Sequence, residues 1–117
     1  MSNLKEFIRL TDENNGATYN LVTGEINPKS GYYVALDLNG KTVKYQHPIN
    51  KVVQNFVLKN SLILSNINTY LGSWIEDGKL FLDIVVRVED RNEAIKFGKE
   101  NKQKAIYDAN NKTVINL

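Results

Sequence analysis

The dipeptide Asp77-Gly78 constrains this chain more than any other feature, because it separates two runs in which hydrophobic residues alternate. Aspartate followed by glycine suits the left-handed dihedrals of a two-residue type I′ turn, so Tyr70 to Glu76 and Lys79 to Glu89 are expected to pair as an antiparallel hairpin. The turn length dictates the register. Ile75 meets Leu80, Ser73 meets Leu82 and Leu71 meets Ile84, which places Leu80, Leu82, Ile84, Val86 and Val88 on one face as the main core row. The reverse face is less ordinary: Trp74 meets Phe81, Tyr70 meets Val85, and Gly72 lies across from Asp83. An apolar patch opposite a filled core face has to be covered by another layer, a partner or a ligand.

Asn39-Gly40 reads as a second hairpin turn, pairing Leu36 with Val43, Val34 with Tyr45 and Tyr32 with His47. Upstream, Phe7 to Leu10 and Ala17 to Val22 read as short strands. After Pro48, residues Ile49, Val52, Val53, Phe56 and Val57 recur at helical spacing and continue to Ile63 and Leu64, predicting a helix over 49–64 with Asn60-Ser61 as an alternative early stop. Asp90-Arg91-Asn92-Glu93 has the form of a capping box and opens a second helix, with Ala94, Ile95 and Gly98 on its inner side. Ala105 to Tyr107 and Thr113 to Leu117 complete the pattern as strands. The expected class is α+β: a mostly antiparallel sheet with two helices, its C-terminal half in strand-strand-helix-strand order, in a single domain spanning 1–117.

Chemistry is sparse. Cysteine is absent, which removes disulfides, thiolate nucleophiles and cysteine-held metals. His47 is the only histidine and sits before Pro48 at a strand-to-helix junction, where a structural or merely exposed role is expected. Glu89, Asp90 and Glu93 form the densest acidic cluster, and the start of a helix favours negative charge without any cation. The glycines are dispersed and form no phosphate-cradling motif. These observations predict a protein that is not an enzyme, with no catalytic residue, cofactor or metal. The start of the chain lacks the sustained apolar core of a signal peptide, and no stretch nears the roughly 20 apolar residues that span a bilayer. A cytoplasmic protein without membrane contact is therefore expected, with secretion by a route lacking a cleaved signal left open.

Two binding readings follow from what remains. Tyr70, Trp74 and Phe81 would serve a protein partner or a homodimer if the first half of the chain leaves them uncovered, because aromatic side chains bury large areas while keeping a polar handle. Arg87, Arg91, Lys96, Lys99 and Lys102 lie in or near the second predicted helix, and the lysines at 96, 99 and 102 would form an oblique basic stripe for the phosphates of DNA or RNA. The net charge of +2 does not choose between them.

Leu71-Gly72, Trp74, Asp77-Gly78-Lys79, Leu82-Asp83, Val88-Glu89-Asp90-Arg91, Glu93-Ala94 and Ala105-Ile106-Tyr107-Asp108 together resemble small uncharacterised proteins encoded by phages and mobile elements of Gram-positive bacteria. The resemblance spans residues 70–117, with a weaker echo at Gly31-Tyr32 and the strand that follows. It implies an accessory protein acting inside a bacterial host by binding another protein, and it assigns no catalytic residue.

Overall fold

The computed structural model describes residues 3–37 and 40–117. In chain order the elements are α1 (Asn3–Asn14), β1 (Gly16–Tyr19), β2 (Tyr32–Ala35), β3 (Lys41–Lys44), α2 (Asn50–Lys59), α3 (Ser61–Leu64), β4 (Thr69–Glu76), β5 (Lys79–Val88), α4 (Arg91–Glu100), β6 (Ala105–Asp108) and β7 (Thr113–Asn116). The strands form one curled antiparallel sheet in the order β1-β4-β5-β2-β6-β7, and β3 also pairs with β5. The class is α+β.

β4 and β5 pair in the register that the two-residue turn dictates, with Ile75 opposite Leu80, Trp74 opposite Phe81 and Gly72 opposite Asp83. Asp77 and Gly78 both take positive φ, as a type I′ turn requires. The ten residues of β5 then leave a long second edge. β3 takes its first part, opposite Lys79 to Leu82, and β2 takes its last, opposite Val85 to Val88.

The expected Asn39-Gly40 hairpin is therefore corrected: β2 and β3 lie end to end along β5, so Leu36 does not pair with Val43, nor Val34 with Tyr45, nor Tyr32 with His47. Asn39 itself lies outside the described residues. Both short strands find backbone partners on β5, and the Leu36 N–H continues the ladder by donating to the Ile84 carbonyl at 2.9 Å. A local hairpin would have left that edge of the central strand without partners. Ala35 and Lys41 are six residues apart in the chain while their partners Val85 and Leu82 are three apart.

Three further expectations change. Phe7 to Leu10, read as a strand, lies within α1, where Phe7, Ile8 and Thr11 turn inward at spacings of one and four. The strand expected over 17–22 stops at Tyr19, because the Asn20 side chain gathers a turn: its Oδ1 accepts from the Val22 and Thr23 amides and its Nδ2 donates to the Ile67 carbonyl. The helix expected over 49–64 is divided at Asn60, whose side-chain amide donates to the Phe56 carbonyl at 2.9 Å, and α3 restarts beyond it. The described residues thus hold four helices rather than two.

All four helices pack on the same face of the sheet. Phe7 of α1, Val53 and Phe56 of α2 and Leu64 of α3 enclose Leu71, Leu80, Leu82 and Ile84. Ala94 of α4 packs on Val34 and Ile106, which continue that face beyond β5. The Leu80 to Val88 row is the main core face, as the alternation predicts.

Candidate functional site

Because side chains alternate along a strand, filling one face with helices leaves Trp74, Phe81, Asp83, Val85, Tyr33 and Tyr107 on the other. The curl of the sheet makes that bare face concave, enclosing a half-open space of about 1030 Å³. Its two ends differ. At one end Tyr33, Tyr70, Val85 and Ala109 form a small secondary core, with Tyr33 and Tyr70 edge to face at 5.2 Å. The Tyr33 hydroxyl donates to the Ser30 carbonyl at 2.8 Å, and burial pushes its pKa well above the ordinary tyrosine value. At the other end the face is open: Trp74 is 51% exposed, with Phe81 half-buried beside it, while Tyr107, the cross-strand neighbour of Tyr33, is 40% exposed.

The residues expected to bind protein therefore divide. Trp74 and Phe81 sit on the open part of the concavity, directly opposite each other across the hairpin. Tyr70 is 4% exposed and spends its ring on packing against Tyr33. The Trp74 indole N–H donates to Glu76 Oε1 at 2.8 Å, a surface contact that orients the ring without covering it.

Asp83 occupies the floor between them. Gly72 faces it across the hairpin, and a Cβ at Gly72 would lie 2.7 Å from Val85 Cγ2. A Cβ at Gly40 would lie 2.8 Å from Asp83 Oδ1. The Val85 side chain and the Asp83 carboxylate occupy the space that a side chain at these two positions would need, so both take glycine. Burial raises the pKa of Asp83 above the usual carboxylate range. No hydrogen bond from the described residues reaches its carboxylate, so the floor presents an acceptor set among aromatic and aliphatic walls.

Lysines border the concavity. Lys29, Lys102, Lys104 and Lys112 line it, against Glu76 and Asp83 as its acidic members. They come from the 27–30 loop, the approach to β6 and the β6–β7 turn, and the β2–β6 pairing gathers them. Sequence reasoning counted Lys102 and Lys104 with the basic residues near the second helix, and it gave Lys29, Lys112 and Tyr107 no binding role. The alternation along β6 carried the signal for Tyr107, but the neighbour of β6 in the sheet was needed to use it.

The basic stripe expected on the second helix is dispersed. Lys96 and Lys99 are exposed on α4, which lies on the opposite side of the sheet from Trp74 and Phe81. Lys102 falls beyond the end of α4 with φ at 59°, so it leaves the helical face, and its Nζ lies 3.8 Å from Asp37. Arg91 is exposed at the first position of α4. Arg87 belongs to the bare face, where Nη2 donates to Ser30 Oγ at 3.0 Å and Nε lies 2.7 Å from Glu89 Oε2, off the hydrogen-bonding direction. Its charge is held by these neighbours.

The remaining chemistry has local explanations. Asp90 caps α4, its Oδ2 accepting from the Glu93 amide at 2.9 Å. Asp12 accepts from the Tyr45 hydroxyl at 2.6 Å and lies 3.1 Å from Nδ1 of the exposed His47, which fastens the segment after β3 to α1. Among the described residues no three His, Asp or Glu side chains converge on a metal-binding point, and no helix is long and apolar enough to cross a membrane. No protein-family model matches this chain, and no curated protein or solved structure matches it.

Proposed function

We propose that this chain is a non-enzymatic accessory protein that binds a polypeptide partner on its bare concave sheet face, with Trp74 and Phe81 as anchors and Tyr107 extending the surface. One observation carries the reading: the helices of the described residues pack on the other face, which leaves Trp74 half-exposed on the concave side. Aromatic anchors in a concave setting, surrounded by polar residues, are what concentrated binding energy needs. The carboxylate of Asp83 offers a partner's N–H group an acceptor, and Lys29, Lys102, Lys104 and Lys112 favour a partner with an acidic border. A second copy of this chain is the homodimeric version of the same reading. The resemblance over residues 70–117 supports a cytoplasmic setting in a bacterial host and a phage or mobile-element origin.

The test is partner capture from a native-like bacterial lysate, with and without nuclease, followed by titration of the identified partner. Retention after nuclease and roughly 30-fold weaker binding of Trp74→Ala are expected, since an interface tryptophan contributes about 2 kcal/mol. Leu62→Ala, a change at an exposed residue on the helical side, should leave binding unchanged. Capture that disappears with nuclease, or equal binding by Trp74→Ala, counts against the proposal. Sedimentation of the purified chain reports the homodimer directly.

A further inference from the structure

Among the described residues the sheet ends on the outer edges of β1, β3 and β7, and the first two are guarded. On β1 the outward backbone groups of Thr18 and Asn20 are taken. Asn27 Oδ1 accepts from the Thr18 amide at 2.9 Å, and the Asn27 amide donates to the Thr18 carbonyl at 2.7 Å. The Asn20 amide donates to the Glu25 carbonyl at 2.9 Å, and its carbonyl accepts from the Gly24 amide at 2.8 Å. β3 carries Lys41 and Lys44, and lysines on an edge strand oppose pairing between molecules. β7 reads Thr113-Val114-Ile115-Asn116, without a charge or a proline. The Leu117 amide donates to the Lys104 carbonyl at 2.9 Å, and bonding alternates along an antiparallel ladder. Thr113 and Ile115 therefore turn their backbone groups toward β6, while Val114 and Asn116 turn theirs outward. Among the described residues no backbone group outside the β6–β7 ladder bonds to Val114 or Asn116, and both residues are exposed.

We infer that β7 is the edge on which a second copy of this chain docks, the two β7 strands running antiparallel about a two-fold axis perpendicular to the sheet. Self-complementarity decides the occupant. Residues directly opposite in an antiparallel pair share a face, so a symmetric pairing centres on a residue and not between two. Centring on Ile115 sets Val114 opposite Asn116 of the second copy. Each Val114 amide then donates to an Asn116 carbonyl and each Asn116 amide to a Val114 carbonyl, four bonds that use every outward group of the strand. Centring on Val114 would instead call on Lys112, whose φ of 53° takes it out of the strand. The Ile115 register also sets Ile115 against its own copy on the helical side, where it adjoins the cluster of Val34, Ala94 and Ile106, and it opposes no like charges. The two concave faces become continuous, with Val114 and Tyr107 at the seam. β2 and β6 separate β7 from β5 in the sheet, so this inference stands apart from the binding role of Trp74 and Phe81.

Sedimentation velocity of the purified full chain tests this. A short strand pair buries less than the roughly 1,200 Å² of stable interfaces, so a reversible monomer–dimer equilibrium is expected over about 10 to about 500 µM protein. Val114→Pro removes two of the four bonds and spares the β6 ladder, because the Val114 amide faces outward. It should raise the dimer dissociation constant by about 30-fold with unchanged circular dichroism. Val114→Lys keeps the amide and should also weaken the dimer, through charge at the seam. Trp74→Ala should leave the dimer as it is. In amide exchange, Val114 and Asn116 should exchange fast in dilute protein and slow down as the dimer forms, with Ile115 slow throughout. The inference is overturned by a monomer at every concentration, by a dimer that Trp74→Ala abolishes and Val114→Pro spares, or by a dimer in which the Val114 and Asn116 amides still exchange fast.

Discussion

Replacing Trp74 by alanine separates a binding face from a buried core through stability alone. An enclosed tryptophan side chain buries roughly 150–250 Å², and Trp74 is 51% exposed, so on the order of 100 Å² is shielded in the free protein. At about 25 cal/mol per Å² its loss costs at most about 2.5 kcal/mol, an upper bound because the unfolded chain also shields part of that area. Water reaches the vacated space, so no cavity penalty is added. Leu82 is the comparison. It lies on the opposite face of β5, fully buried among the helices, and Leu82→Ala should cost about 3–5 kcal/mol because a closed cavity remains. Urea unfolding followed by far-ultraviolet circular dichroism measures both variants without relying on the deleted fluorophore. A cost for Trp74→Ala equal to that of Leu82→Ala would refute the assignment of Trp74 to an open face.

Two other perturbations probe the site and its frame. Asp83 has a folded-state pKa raised by burial, so its protonated form is favoured by folding; the stabilisation is complete at acid pH below the unfolded value and is lost as pH rises through the folded value. Asp83→Asn should therefore raise the melting temperature near neutral pH and remove that acid-range dependence, while weakening partner binding if the carboxylate accepts a hydrogen bond from the partner; a lower melting temperature at neutral pH would contradict the desolvation argument. Asp90→Ala should destabilise by about 1 kcal/mol through loss of the bond from the Glu93 amide, read as a lower urea midpoint with unchanged slope.

The β4–β5 hairpin was legible because a two-residue turn leaves one register, and period-two alternation then assigns every side chain to a face. The same logic misled at Asn39-Gly40, where a local turn signal competed with a longer edge elsewhere and the sequence does not reveal that β5 outlasts its partner. Phe7 to Leu10 is too short a window to separate the two periods; only the wider set Leu4, Phe7, Ile8 and Thr11 shows the helix. Alternation identified the two faces of the hairpin and which of them carries the main core row, but not whether the Trp74 and Phe81 face would also be covered, since that depends on how α1 and α2 return over the sheet. Lys29, Lys102, Lys104 and Lys112 are scattered in sequence and share a border only through the pairing of β2 with β6.

The chain contains a single tryptophan, so fluorescence excited at the red edge, where its six tyrosines do not absorb, reports on the concave face alone. An open face predicts that the free folded protein emits at a wavelength close to that of the unfolded chain and is quenched readily by acrylamide, with protection appearing only when a partner is added. Blue-shifted emission shielded from acrylamide in the free protein would show the face already sealed, and would contradict its role as the binding surface.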